Sequence, residues 1–535
     1  MSEPAEMTVG VYLVELLKAY GVDTVFGIPG VHTVELYRGL GASGLRHVAA
    51  RHEGSLGFMA DGYARVTGKP GVCFVITGPG LSNIATAMGQ AYADSIPLLV
   101  ISATNAGGDA ASGRGHLHEM KDQPGLGAAV SAFSRTLHRA ADLPETIARA
   151  FALFDGARPR PVHIELPLDV LGSSASDLPP ISKSPVRLKP PAARADLVDE
   201  ARTRLAGAKS PLILIGGGAI RAGDGVDGLA EALDAPVVMT INARGVLPVH
   251  HPLAVSWSAS MAAVRKLVQQ SDVILALGTE LGPTDYDIYA DKGFCLPGKL
   301  IRVDLDAEQL VRSRQPDLAI IGDAADFVRQ LNACGATSAR TVSGAARVIA
   351  VSAEARIELT PDMTAELAFL EKVRDAAPGA VLVGDSTQQV YAGNLGFAAE
   401  RPRSWFNSSV GFGALGYGLP AAVGASLGDP SKPVICLAGD GGVQFSIAEL
   451  AAAKETGARL ILILLNNQGY GEIKTAMQAV GVAPVGVDLY TPNFQMLAAA
   501  YGWRTSLLGD RSGIGGAIEA ALAAEGPSLI EVSAP

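Results

Sequence analysis

The sequence predicts an α/β protein of three doubly wound parallel-sheet domains, on three observations. Short β-branched or Leu-rich runs alternate with Ala-rich amphipathic stretches from end to end, the pattern of buried parallel strands joined by covering helices. Two polar, Pro-rich stretches interrupt this pattern, one near Gly172 to Ala193 and a weaker one near Gly335 to Pro361. A chain of 535 residues, 48% hydrophobic and 18% charged, is too long for one core. The expected domains are therefore 1–171, 194–335 and 361–535.

The first and last of these echo each other. Lys69-Pro-Gly-Val-Cys-Phe-Val-Ile-Thr-Gly-Pro-Gly80 leads through Ala-rich sequence to Pro97-Leu-Leu-Val-Ile101. Lys432-Pro-Val-Ile-Cys-Leu-Ala-Gly-Asp-Gly-Gly442 leads in the same way to Leu460-Ile-Leu-Ile-Leu-Leu465. Both read strand, glycine loop, helix, strand, and two copies so far apart imply two domains of one architecture. Only the second copy carries an acid, Asp440, where the first has Pro79.

Composition narrows the partners. A net charge of -10 without a clustered basic face argues against nucleic acid. Cys73, Cys295, Cys334 and Cys436 are widely spaced with no CxxC pair, so free thiols are expected and not a zinc site or disulfide framework. No apolar run approaches the ~18 residues of a membrane span, and Met1 to Met7 has no secretory character. A cytoplasmic protein without a membrane partner is expected.

Gly439-Asp440-Gly441-Gly442 follows the apolar run Val434 to Ala438, and the next helix is expected near Ser446. Such a turn aims backbone N–H groups at one spot and suits an anion. A carboxylate there would oppose a phosphate unless a cation lies between, which Mg²⁺ bridging to a diphosphate provides. The neighbouring strand ends in Asn466-Asn467-Gln468-Gly469, and adjacent parallel strand ends face one crevice. Asp440, Asn467 and a carbonyl near Gly469 would then supply hard oxygen ligands. Singly, GDGG and NN are ordinary turns; joined by the 24 residues 442–465 they form a signature.

That signature resembles thiamine-diphosphate enzymes, and over nearly the whole chain the sequence resembles the family of acetolactate synthase, pyruvate decarboxylase and benzoylformate decarboxylase. Phe26-Gly-Ile-Pro-Gly30, Arg51-His-Glu53, Ala60-Asp-Gly-Tyr-Ala-Arg65, Thr77-Gly-Pro-Gly80 with Asn83, and Gly411-Phe-Gly-Ala-Leu-Gly-Tyr-Gly-Leu-Pro420 carry the likeness. It implies pyrimidine-binding, middle and diphosphate-binding domains in that order. It implies that Glu53 activates the cofactor through its aminopyrimidine, and that Leu415 wedges the cofactor into a bent form. Cofactor contacts are implied at Pro29, Gly30, Asn83, Gly413, Gly439, Gly441, Gly442, Gly469 and Tyr470, with Asp385 and Ser386 near the diphosphate. Metal ligation is implied at Asp440, Asn467 and Gly469. The resemblance also implies a homodimer at minimum, a homotetramer being common, with each site shared between subunits.

For the substrate, a small 2-oxo acid, the resemblance points to loops. Gly115-His-Leu-His-Glu119 falls where relatives place polar active-site groups, so His118 is expected to handle a proton, and His116 to lie on the surface. Gly469-Tyr-Gly-Glu-Ile-Lys474 offers Glu472 where acetolactate synthases carry apolar residues and a Trp. Gly278-Thr-Glu-Leu-Gly-Pro-Thr-Asp-Tyr-Asp287 adds Glu280, Asp285 and Asp287, and acids converging on a substrate tail would suit a guanidinium. With Val31 and His32 of Gly30-Val-His-Thr-Val-Glu-Leu-Tyr37, and Gly384-Asp-Ser-Thr-Gln388, the pattern resembles 5-guanidino-2-oxopentanoate decarboxylases of arginine catabolism. An acetolactate-synthase-type carboligase is the alternative. A catalytically silent nucleotide-binding or regulatory protein is a third reading, which intact Glu53, Asp440 and Asn467 oppose. Ile213-Leu-Ile-Gly-Gly-Gly-Ala219 is a glycine turn whose third fingerprint position is Arg221, and the resemblance leaves open a bound FAD without a redox role.

Overall fold

Parallel strands dominate the computed structural model, which describes residues 7–287 and 294–533. The N-terminal segment Met1 to Met7 lies outside the described residues but for its last. The first sheet holds β1 (Thr24–Gly27), β2 (Arg46–Val48), β3 (Gly71–Val75), β4 (Leu98–Thr104), β5 (Phe133–Thr136) and β6 (Val162–Pro167). The second holds β7 (Pro211–Ile215), β8 (Val237–Met239), β9 (Ala254–Val255), β10 (Val273–Leu277), β11 (Lys299–Asp304) and β12 (Leu318–Ile321). The third holds β13 (Val381–Gly384), β14 (Trp405–Asn407), β15 (Val434–Gly439), β16 (Leu460–Asn466), β17 (Arg504–Leu508) and β18 (Ser528–Ser533).

The first sheet runs β2-β1-β3-β4-β6-β5 and the third β14-β13-β15-β16-β18-β17, the same order counted from each domain's first strand. The echo in the sequence is therefore an echo of topology. The middle sheet runs β12-β11-β10-β7-β8-β9, a different winding with its switch between β7 and β10. The inner strands are buried along nearly their whole length, as continuous apolar runs such as Val434–Ala438 require.

Two expectations are corrected. The stretch 335–361 contains the helix Gly344–Glu358, whose Val348, Val351 and Ala355 recur at helical spacing and bury against the core. After β15 the chain coils at once, from Asp440, rather than near Ser446, where the turns instead kink.

The first and last domains meet through the helices Glu53–Thr67 and Gly418–Gly428. A Cβ on Gly62 would lie 2.0 Å from the Ala421 carbonyl oxygen, and one on Gly424 would lie 1.8 Å from that of Met59. Only glycine permits this approach. Beside it Tyr417 donates to Asp61 at 2.6 Å, and buried Arg65 bridges Asp61, Asp94 and, in the middle domain, Asn242. Apolar clusters likewise run across domain boundaries, so the three domains pack as one body. No helix among the described residues is long and apolar enough to cross a membrane.

Candidate active site

The ends of β15 and β16 bring three oxygens together. The Asn467 amide oxygen lies 2.9 Å from Asp440 Oδ1 and 2.9 Å from the Gly469 carbonyl oxygen. Three acceptors so placed repel unless the amide turns over to donate or a cation sits among them. Neighbouring oxygens on an octahedral ion bound at ~2.1 Å stand about 3.0 Å apart, so the spacing suits a small hard cation as well as it suits a donating amide. No group of three His, Cys, Asp or Glu side chains among the described residues is placed to hold a metal ion, and a site of one carboxylate, one amide and one carbonyl needs none. Asp440 is buried; burial pushes its carboxyl above the usual range, while N–H groups of Asn467 and of the loop itself pull it back.

Around these oxygens the loops lock together. Buried Asp385 at the end of β13 accepts the N–H groups of Ser386, Gly416 and Gly418 at 2.8, 3.3 and 3.0 Å, and a Cβ on Gly442 would meet it at 3.2 Å. Asp385 thus organises the glycine loops rather than offering a free carboxylate. Ser409 donates to Ser386 at 3.1 Å. Gly439 caps the turn of Gly441 and Gly442, and the Tyr470 ring lies so close over Gly441 that a Cβ there would meet it at 2.7 Å. Gly411, Gly413 and Gly416 all have left-handed φ, and the loop they shape leaves Leu415 partly exposed, outside the core. Glu472 stands in the first turn of the helix Gly471–Ala479, where Gln388 donates to it.

Glu53 opens its helix in the first domain, half-buried, and Asn83 Nδ2 donates to it at 2.9 Å. Among the described residues no hydrogen bond or ion pair joins Glu53 to Asp440 within one chain. Pro29 and Gly30 form a tight turn closed by Thr33, packed on Ile76. Val31 points out to solvent, whereas His32 is buried with its ring centroid 5.1 Å from that of His118. Burial, then the neighbouring His118, lowers the His32 pKa. The Nδ1 atoms of both rings are buried without a hydrogen-bond partner. His118 holds φ +59° and its carbonyl oxygen lies where a Cβ on Gly78 would come within 2.5 Å, so the strained loop rests on the Thr77-Gly78 turn. His116 faces Asp109 at 3.3 Å in the outer loop.

The acids of the middle-domain loop differ from expectation. Glu280 is paired with Arg158 and Arg160, and Asp287 with Arg265, so neither is left for a substrate tail. Asp285 lines a separate cavity of about 290 Å³ between the domains. That cavity lies at the switch of the middle sheet, beside Gly216, Gly218 and Gly278, whose backbones pack on one another, and Arg221 there is bound to Asp323. Sequence reasoning missed Gln123 and Glu449, and named Gln388 only as the end of a motif. Gln123 accepts from Gly78 N–H at 2.7 Å and Thr77 at 2.9 Å, holding the turn under His118. A lone acid in the run Ser446-Ile-Ala-Glu-Leu450 was the available signal for Glu449.

Outer domains of one topology, a differently wound domain between them and hard oxygens at paired strand ends define an α/β enzyme built for a phosphorylated cofactor. Residues 7–126, 198–331 and 384–532 match the N-terminal binding, central and C-terminal binding domains of thiamine pyrophosphate enzymes, and the chain belongs to that family. It is 43% identical to the probable 2-ketoarginine decarboxylase AruI of Pseudomonas aeruginosa, over 99% of this chain and 95% of that one. It is 31% identical to the large subunit of acetolactate synthase isozyme 1 of Escherichia coli, over 97% and 93%. An X-ray structure of a protein from Mycobacterium smegmatis superposes with a TM-score of 0.83 at 24% identity, covering 99% of both chains; it shares the fold.

Proposed function

We propose that the chain is a Mg²⁺-dependent, non-oxidative 2-oxo acid decarboxylase that converts 5-guanidino-2-oxopentanoate, which is 2-ketoarginine, to 4-guanidinobutanal and CO₂. The observation that carries this reading is the 43% identity, over both whole chains, to a probable 2-ketoarginine decarboxylase. A carboxylate at Glu472, five residues after Asn467, supports a cationic tail.

Bound thiamine diphosphate supplies the carbanion and the electron sink. Asp440, Asn467 and the Gly469 carbonyl would hold a cation for the diphosphate, and Asp385 keeps the surrounding glycine loops in place. Glu53, steadied by Asn83, offers its carboxylate to the aminopyrimidine. Leu415, partly exposed beside the glycine loops, would pack against the bound cofactor and keep water out. His118 would donate the proton that reaches the product carbon, while His32, its pKa depressed, favours the neutral ring that can accept a proton in turn. Glu53 and Asp440 belong to sites completed between two copies, so the working unit is a homodimer at minimum and a pair of such dimers in the tetramer. Exposed Val31, Leu117, Phe412 and Ile473 supply apolar surface for that association.

Acetolactate synthase chemistry is the second reading, favoured by the 31% identity. One experiment separates them: initial rates with 5-guanidino-2-oxopentanoate, pyruvate and benzoylformate, given thiamine diphosphate and Mg²⁺, with products weighed by mass spectrometry. The expected result is a single aldehyde from the guanidino acid. Preference for pyruvate with two acids joined would replace the decarboxylase reading.

A further inference from the structure

Glu449 is fully buried, and among the described residues no Lys, Arg or His side chain lies within ion-pair distance of it; the charge of Arg51 acts on it from farther off. Its carboxylate turns instead to the start of the helix that carries Glu53. Both oxygens accept the Arg51 backbone N–H, at 3.0 and 3.2 Å, and the His52 N–H and Ser55 hydroxyl also donate to it. Six residues on, Glu455 takes the Arg51 guanidinium in a two-pronged pair. The diphosphate domain thus grips the segment just before Glu53 by backbone and by side chain. A buried carboxylate is costly unless donors surround it, and here the donors are the N–H groups and positive end of one helix. Glutamine would keep the volume but bring an NH₂ group toward those same donors.

We propose that Glu449 is a positioning residue for the reaction: it fixes residues 51–55 so that the Glu53 carboxylate, tethered on its other side by Asn83, meets the cofactor in one orientation. The proposal rests on the assignment of Glu53 above. Glu449 lies nine residues after Asp440. In a dimer with shared sites it would therefore join the metal loop of one site to the activating carboxylate of the other.

The test is proton–deuterium exchange at C2 of thiamine diphosphate bound with Mg²⁺ to the full-length enzyme, read by NMR after acid quench. Glu449→Gln is expected to slow exchange by roughly ten- to a hundredfold, with cofactor affinity changed less than about threefold, because Asp440 and Asn467 are untouched. Ser55→Ala removes one donor, leaves the carboxylate in place, and is expected to slow exchange about two- to tenfold; it serves alone if Glu449→Gln does not fold. Glu53→Gln is the control. Wild-type exchange in that control overturns the assignment of Glu53 itself. Slow exchange in the control with wild-type exchange in the folded Glu449 and Ser55 variants overturns the positioning role, since a purely structural carboxylate would lower only the melting temperature.

Discussion

Asn83 holds Glu53 through one hydrogen bond, so the carboxylate can be replaced without loosening its helix. Glu53→Gln is expected to bind thiamine diphosphate normally by calorimetry while turnover falls roughly 10²- to 10⁴-fold; near-normal turnover removes the activating role. Asp285 gives a pH prediction. Burial raises its pKa to about 7, with nearby Asp94 and Glu280 adding to the effect. A carboxyl raised in the folded state binds more protons folded than unfolded, so stability declines as pH rises from about 4 through 7. Asp285→Asn is expected to melt higher than wild type at pH 8, the gap narrowing toward pH 4. The meeting of Asp440 with Asn467 was legible because two adjacent strand ends carry them. Glu449 was not, because its donors come from a segment 398 residues away. Glu280 was read as a free acid because Arg158, which neutralises it, lies 122 residues distant.

The loop bearing His118 is an element built around one side chain. Glu119 accepts from the Gly113, Gly115 and His116 N–H groups and the Ser112 hydroxyl. Burial alone would raise its pKa, yet these donors bring it from 4.5 to about 2. A depressed carboxylate stabilises its surroundings above its unfolded pKa and loses that effect as pH falls toward the folded one, so this loop should loosen between about pH 4.5 and 2. Glu119→Ala should do the same at neutral pH: hydrogen exchange over 112–119 is expected to quicken and activity to drop, with the melting temperature almost unchanged. Unaltered exchange would disprove the loop's dependence on Glu119. Strands were the most legible elements, since a buried parallel strand leaves a continuous apolar run. The helix Gly344–Glu358 was obscured because polar, turn-forming residues flank its sparse buried stripe. The coil after Asp440 was misplaced because GDGG favours a turn, whereas in the fold Gly439 caps a helical turn at once.

Across the molecule, the repeated strand order of the first and last domains was visible as two similar strand–loop–helix–strand segments, but the contact between them was not. It depends on glycines too common in this sequence to single out. Gly424→Ala would force the Met59 backbone away and is expected to cost at least about 1–3 kcal/mol, read as a lower midpoint in urea unfolding together with weaker activity. An unchanged midpoint would show that the two helices can separate freely. This backbone-to-backbone seam also constrains how the protein can be recombined with its relatives. The middle domain carries a seam of its own, since a Cβ on Gly245 would lie 2.1 Å from the Arg401 carbonyl oxygen. The two outer domains must be inherited together or matched at positions 62 and 424, so in a chimeric library the seam, not the chain order, sets the smallest transferable unit.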